Sequence, residues 1–293
     1  MKTYRYLVGE SMRTIGINVN TTKDKDGNVV KTIKDIISSK LGSEILVFKD
    51  SKGLTKEKCS KLDFIIALGG DGTILSTARK VSKYEIPILG VNIGNLGFLA
   101  AVEMSQFEDA IMEIRDGSYA IEDRVMIGCE INGKKFSALN DIFIQKGTLS
   151  SIIDFYIEVD GKFYASFIAD GVIFSTPTGS TAYSLSAGGP VLFPTLDVLE
   201  ITPICPHTQG IKTLIIPCDL NIKIRIKSKD DNVFLSIDGQ ESVILNKISS
   251  VSLTKNNFKC KVIRLNDYDY FDILRNKILW RTMECACDNY EDK

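Results

Sequence analysis

Residues 63–75 read DFIIALGGDGTIL. An apolar run that ends in Gly69-Gly70-Asp71-Gly72 and gives way to Thr73, Ile74 and Leu75 has the pattern of a buried strand passing into a helix, which places this part of the chain in the α/β class. Glycine accepts positive φ and carries no Cβ, so the backbone can turn sharply here and approach a ligand closely. In open α/β sheets ligands bind at this place, outside the carboxyl ends of the strands. A helix that begins near Thr73 presents amides suited to phosphate oxygens, so Gly69, Gly70, Gly72 and Thr73 form a candidate phosphate-donor loop. Asp71 then stands beside an anion-binding surface, where a carboxylate is costly unless it is used. It can take a proton from an attacking hydroxyl or hold a magnesium ion. The plain alternative is a turn aspartate that caps the next helix.

Outward from this stretch, strands alternate with helical periods over the first 120 residues. IGINV, EILVF and PILGV join DFIIAL as strands. Ile33, Ile36, Ile37 and Leu41 recur at helical spacing. Ser105 with Glu108 predicts a capping box for a second helix, with Phe107, Ala110, Ile111 and Ile114 on its apolar face and Gly117 as its stop. The pattern is that of a doubly wound, Rossmann-like domain.

From about Ile121 to residue 264 the period changes to two, with hairpin turns expected at Asn132-Gly133 and Asp160-Gly161. This stretch reads as a mostly-β domain, 121–264. Lys223, Arg225, Lys227 and Lys229 fall on one face of a strand, read as a solvated sheet face, with an anion-binding stripe as the alternative. The tail YDYFDILRNKILW reads as helix, with Phe271, Leu274 and Ile278 in need of a surface to cover. It is expected to return to the first domain, which then comprises residues 1–120 with 265–293. The residues before Met12 are expected to be a dispensable extension.

The bulk properties agree with two domains, since 293 residues exceed the roughly 250 at which one core stops growing. With 36 basic and 37 acidic side chains, net charge −1, nothing draws the chain to nucleic acid or an anionic membrane. The longest apolar run, ILGVNIGNLGFLAAV, is too short to span a bilayer, and no secretory h-region opens the chain. Seven scattered cysteines without a C-x-x-C pair, read as core or surface thiols, and the single His207 point to a reduced, cytoplasmic setting without a structural metal.

A second segment, residues 170–190, reads DGVIFSTPTGSTAYSLSAGGP. Its strand GVIF leads into a run of hydroxyls and small residues that opens a short helix over 182–187 and can meet ribose and phosphate without bulk. Neither a Walker P-loop nor a G-x-G-x-x-G fingerprint occurs, so phosphates must be held another way.

With GGDG at 69–72, NIGNLGFLA at 92–100, LND at 139–141, PICPHT at 203–208 and SIDGQ at 236–240, the chain resembles the NAD kinases over residues 14–280. The resemblance implies phosphoryl transfer from ATP, or from inorganic polyphosphate, to the adenosine ribose 2′-hydroxyl of NAD, giving NADP. It also implies a divalent metal ion, Mg²⁺ by preference, and a cytoplasmic homodimer or homotetramer. Asp71 matches the family's proton acceptor and lies with Gly72 at the bound NAD. Asn140 matches the reader of the adenine edge and Asp141 the acid on the ribose hydroxyls. Asp170 matches the acid facing the nicotinamide half. Thr181, Ala182, Tyr183, Ser184, Leu185 and Ser186 match the strip around NAD, and Gln240 a further contact. No residue is assigned to the metal. Two departures stand out: Asp141 is one methylene shorter than the usual Glu, and Ile168 stands where many members carry an arginine. His207 is read as structural, because no acid neighbours it in PICPHT. Tyr183 can either stack on a base or pack into the domain interface.

The mechanism expected from phosphoryl-transfer physics is alignment and charge neutralisation, with ribose and γ-phosphate converging at the domain cleft. Two alternatives remain at this level: another GGDG-type kinase acting on a lipid or sugar phosphate, and a non-catalytic NAD-binding sensor.

Overall fold

The computed structural model describes residues 14–94, 97–100, 102–147, 152–207, 210–229 and 233–279. The expected N-terminal extension therefore lies outside the described residues, as do Asn95 and Leu96 of NIGNLGFLA and Thr208 of PICPHT. Among the described residues, those up to Glu122 and from Lys261 onward form one compact unit, and Asp123–Cys260 form another.

The sheet of the first unit has the order Glu44–Lys49, Thr14–Val19, Phe64–Gly69, Ile88–Asn92, Cys260–Leu265, Tyr119–Arg124. Its first four strands pair in parallel. Thr14–Val19 and Phe64–Gly69 are buried along their whole length, as expected of parallel strands covered on both faces. One face packs Ile15, Ile17, Ile66 and Leu68 against the helices Asn28–Lys40 and Phe107–Arg115, which contribute Ile33, Ile37, Phe107 and Ile111. The other face receives the helix Asp71–Val81: Asn18 Nδ2 donates to Thr77 Oγ1 at 2.7 Å, and a Cβ on Gly90 would fall 2.6 Å from Ile74 Cδ1. Helices on both faces make the sheet doubly wound. The strand order reverses at Thr14–Val19, so the crevice between it and Phe64–Gly69 is a topological switch point.

Several local expectations are corrected. The helix after the glycine turn starts at Asp71 instead of near Thr73, with Gly70 extended before it. The capping box does not form: Ser105 lies in a 3₁₀ turn, Met104–Gln106, and the α-helix begins at Phe107 without a side-chain cap. Gly117, at φ 70, does end that helix. The chain returns to the first sheet as the strand Cys260–Leu265, ahead of any helix. Among the described residues the tail then forms a short helix, Tyr270–Leu274, capped by Asp269 through the Phe271 amide at 2.8 Å, and a π-turn Arg275–Leu279. Tyr270 is its buried residue, whereas Phe271 is 56% exposed.

The second unit has two antiparallel sheets. One runs Lys162–Ala169, Ile153–Val159, Ile222–Ser228, Ile248–Lys255, Ile127–Ile131, Lys134–Ala138. The other runs Leu214–Pro217, Val198–Ile204, Gly171–Ser175, Asp141–Lys146, Val233–Ile237, Glu241–Leu245. Alternate residues of both enter one core, among them Phe155, Ile224, Ile144 and Phe174. The residues between them face solvent: Lys223, Arg225 and Lys227 are exposed, and Arg225 pairs with Glu158 at 2.8 Å and lies 4.2 Å from the Tyr156 ring. That face is the solvated one. Hairpin turns occur at Asn132-Gly133 and Asp160-Gly161, each with both residues at positive φ. A third joins Val233–Ile237 to Glu241–Leu245 through Asp238 and Gly239, also both at positive φ.

Candidate active site

In the first unit the strand Phe64–Gly69 delivers the glycine turn. Gly69 has to be glycine, because a Cβ there would overlap the Thr73 hydroxyl. The Thr73 amide, expected to be open to phosphate, donates instead to the Gly70 carbonyl at 2.8 Å, and Ile74 shares that acceptor at 3.3 Å. Among the described residues, the amides without a backbone acceptor lie earlier, at Gly70 and Asp71. Lys23, just beyond the first strand, brings its ammonium to within 2.9 Å of where a Gly70 Cβ would stand and 3.9 Å of a Gly94 Cβ. Among the described residues that ammonium has no ion-pair or hydrogen-bond partner.

The Asp71 carboxylate is half-buried and oriented by backbone: Phe98 N donates to Oδ2 at 2.8 Å and Leu99 N to Oδ1 at 3.1 Å. A Cβ on Gly97 would overlap this carboxylate, so the 97–99 loop can close on Asp71 only with glycine there. A carboxylate offers about four lone-pair positions, so two remain for a proton or a ligand hydroxyl.

In the second unit LND, the Thr/Ser-rich segment and SIDGQ come together. Asp238 accepts the amides of Leu139 at 3.2 Å, Asn140 at 2.8 Å and Asp141 at 3.3 Å. The Asn140 carbonyl in turn accepts the Thr176 amide at 2.9 Å, and a Cβ on Gly179 would overlap that carbonyl. These contacts aim the Asn140 side chain, whose Oδ1 is buried without a partner. Asp141 is 3% exposed; burial, reinforced by the neighbouring Asp238 charge, pushes its carboxyl up to about 7.

After the 3₁₀ turn Gly179–Thr181, the short helix Tyr183–Ser186 carries the strip. Ser184 is buried and donates to Glu200 Oε1 at 2.8 Å, as Thr202 Oγ1 does at 2.8 Å. Burial raises the Glu200 carboxyl above its ordinary range. Tyr183 packs edge-on against Phe143 at 5.0 Å and remains 40% exposed. Gln240 is exposed in the turn after Val233–Ile237. Asp170 directly precedes the strand Gly171–Ser175, and its Oδ1 meets Lys146 Nζ at 2.7 Å. His207 contributes backbone, its amide donating to the Ile168 carbonyl at 2.9 Å. Ile168 itself lies opposite Asp154 in a strand pair.

Residues 2–119 match the ATP-NAD kinase N-terminal domain, and residues 139–265 match the ATP-NAD kinase C-terminal domain. The chain belongs to the NAD kinase family. A NAD kinase of Clostridium botulinum (strain Kyoto) is 49% identical over 279 residues, spanning 94% of this chain and 99% of its own. Among solved structures, a NAD kinase from Archaeoglobus fulgidus in complex with ATP aligns with a TM-score of 0.74 at 27% identity, covering 92% of this chain and 99% of its own. Yeast NADH kinase complexed with NADH aligns with a TM-score of 0.76 at 23% identity, covering 97% and 90%. That second likeness bears on the fold.

Three residues beside these groups, Lys23, Gly97 and Asp238, are not singled out by sequence pattern. Lys23 lies 48 positions before Asp71 in a polar loop, and nothing local marks it. Gly97 was inside a quoted motif, but the reason for a glycine there is the carboxylate it admits. Asp238 was also inside a quoted motif, and Asp-Gly after the strand residues VFLSI was the available hairpin signal.

Proposed function

We propose that the phosphorylation of NAD to NADP by this chain is a direct transfer of the γ-phosphoryl group of ATP to the 2′-hydroxyl of the adenosine ribose, with Asp71 as proton acceptor. The observation that carries this reading is the Asp71 carboxylate itself, held by the Phe98 and Leu99 amides beside a glycine turn with acceptor capacity to spare. Phosphoryl transfer asks little covalent work of a protein beyond alignment and charge neutralisation. The Gly70 and Asp71 amides and the Lys23 ammonium supply positive charge at the glycine turn for the donor's phosphates. Inorganic polyphosphate, having the same terminal chemistry, is the second donor.

The second unit recognises the adenosine. The orphaned Asn140 Oδ1 suits the adenine amino group, and Asp141 suits the ribose hydroxyls, its shorter side chain notwithstanding. Thr181 through Ser186 line the dinucleotide, Gln240 adds an exposed contact, and Asp170 meets the nicotinamide half. Gly69, Gly72 and Thr73 shape the donor turn through backbone and packing. The two compact units are taken as the enzyme's domains, and the assembly as a cytoplasmic homodimer or homotetramer.

Among the described residues no group of three or more His, Cys, Asp or Glu side chains could hold a metal ion. One carboxylate beside a phosphate site fits magnesium, which binds through one or two carboxylates plus substrate phosphates. Asp71 is the residue placed to meet it, and the ion would supply further neutralisation of phosphate charge.

The test uses purified protein with NAD, Mg²⁺ and either ATP or polyphosphate, with NADP read enzymatically. Asp71→Asn should bind NAD in calorimetry and lose most turnover; near-normal turnover removes Asp71 from the base role.

A further inference from the structure

Arg264 is among the most buried cations of the first unit, 4% exposed, and belongs to the strand Cys260–Leu265 that returns to the first sheet. Its Nε donates to Glu122 Oε2 at 2.9 Å, on the neighbouring strand Tyr119–Arg124. Its Nη1 donates to the Leu99 carbonyl at 3.2 Å, and its guanidinium lies 4.0 Å from the Tyr268 ring centre. Leu99 is thus held from both sides: its carbonyl by Arg264, its amide by the Asp71 carboxylate at 3.1 Å. We propose that Arg264 is a positioning residue for Asp71, acting through the backbone of Leu99.

Packing already buries the end of the loop, where Leu99 is 4% and Ala100 1% exposed. Such packing is non-directional, so it excludes water without fixing where the Phe98 and Leu99 amides point. The guanidinium fork adds the missing direction. It is planar and satisfies a carboxylate and a carbonyl at fixed angles, which a lysine ammonium on its flexible stem does not reproduce. The link spans 165 residues, so the far end of the chain sets the geometry of an acid in the first glycine turn. A displacement of about 1 Å in a reacting group can cost on the order of 10²-fold in rate.

The proposal rests on the reading of Asp71 as the base, and the experiment separates the two. Arg264→Met and Arg264→Lys are made in the wild-type chain and in Asp71→Asn, with folding followed by circular dichroism and thermal melting. With Arg264→Met, kcat for NADP formation should fall about 10-fold or more while KM for NAD stays within about twofold; Arg264→Lys should fall less. In the Asp71→Asn background, single-turnover rates should show no further loss from either substitution, because the group being positioned is gone. Full kcat in folded Arg264→Met, or an equal loss in both backgrounds, overturns the positioning role and leaves the base reading intact. Wild-type turnover in Asp71→Asn alone removes the base reading and this proposal with it. Should Arg264→Met fail to fold, Arg264→Lys carries the same comparison, and an equal loss from it in both backgrounds, or none in the wild type, overturns the proposal.

Discussion

The Asp238 carboxylate reaches across 98 positions of sequence to accept the Asn140 amide at 2.8 Å, and it takes the amides of Leu139 and Asp141 as well. A hairpin turn in one strand pair thereby holds the start of the neighbouring strand, Asp141–Lys146, in the orientation that leaves Asn140 Oδ1 unpaired and buried.

Asp238→Ala leaves those amides without their acceptor, each unsatisfied group costing roughly 1–3 kcal/mol where water cannot replace it. The variant should melt lower and bind NAD more weakly, with affinity for ATP little changed. Calorimetric titration with each nucleotide separates the effects, and unaltered NAD binding would remove Asp238 from the adenosine site.

Gly97→Ala places a methyl group where the Asp71 carboxylate now lies. The expected result is a folded protein whose turnover drops toward that of Asp71→Asn, a loss of about 10²–10⁴-fold if general-base catalysis is removed. Steady-state kinetics beside a melting curve checks it; wild-type turnover would mean that the loop yields without moving the acid.

Lys23→Met removes an ammonium that stands over the glycine turn. KM for ATP should rise several-fold, and its dependence on ionic strength should flatten, since one phosphate-facing charge is lost. KM for NAD serves as the internal control.

The Asp141 carboxyl is raised from 3.8 to about 7 by burial and by the Asp238 charge. Between those values the folded chain holds a proton that the unfolded chain has released, so stability declines as pH rises through this window and the decline levels off above it. Asp141→Asn cannot ionise, and should gain on the wild type steadily from pH 4.5 to 7. Urea midpoints of both proteins across that range test this; parallel curves would show that Asp141 ionises freely in the folded state.

Local pattern carried much of this molecule. Period and punctuation located the parallel strands, the turns at Asn132-Gly133 and Asp160-Gly161, and the glycine turn with its acid, because each depends on residues adjacent in sequence. Local pattern also misled where tertiary context outweighed it. Ser105 and Glu108 have capping-box spacing, yet the chain enters that helix through a 3₁₀ turn and leaves the box unmade. Residues 260–264 fall at the end of the stretch read as the mostly-β domain, but the strand Cys260–Leu265 joins the parallel sheet.

What sequence by itself determined is therefore the α/β and β character of the two parts, the family, and Asp71 as the acid of the first turn. Tertiary structure decided which groups surround that acid and Asn140: Phe98, Leu99 and Arg264 about the one, Asp238 and Thr176 about the other. The physical reason is range. Strand and helix periods arise between neighbours a few positions apart, whereas a carboxylate is oriented by whichever amides the folded sheet brings within 3 Å or so of it, and those are separated from it by tens of residues.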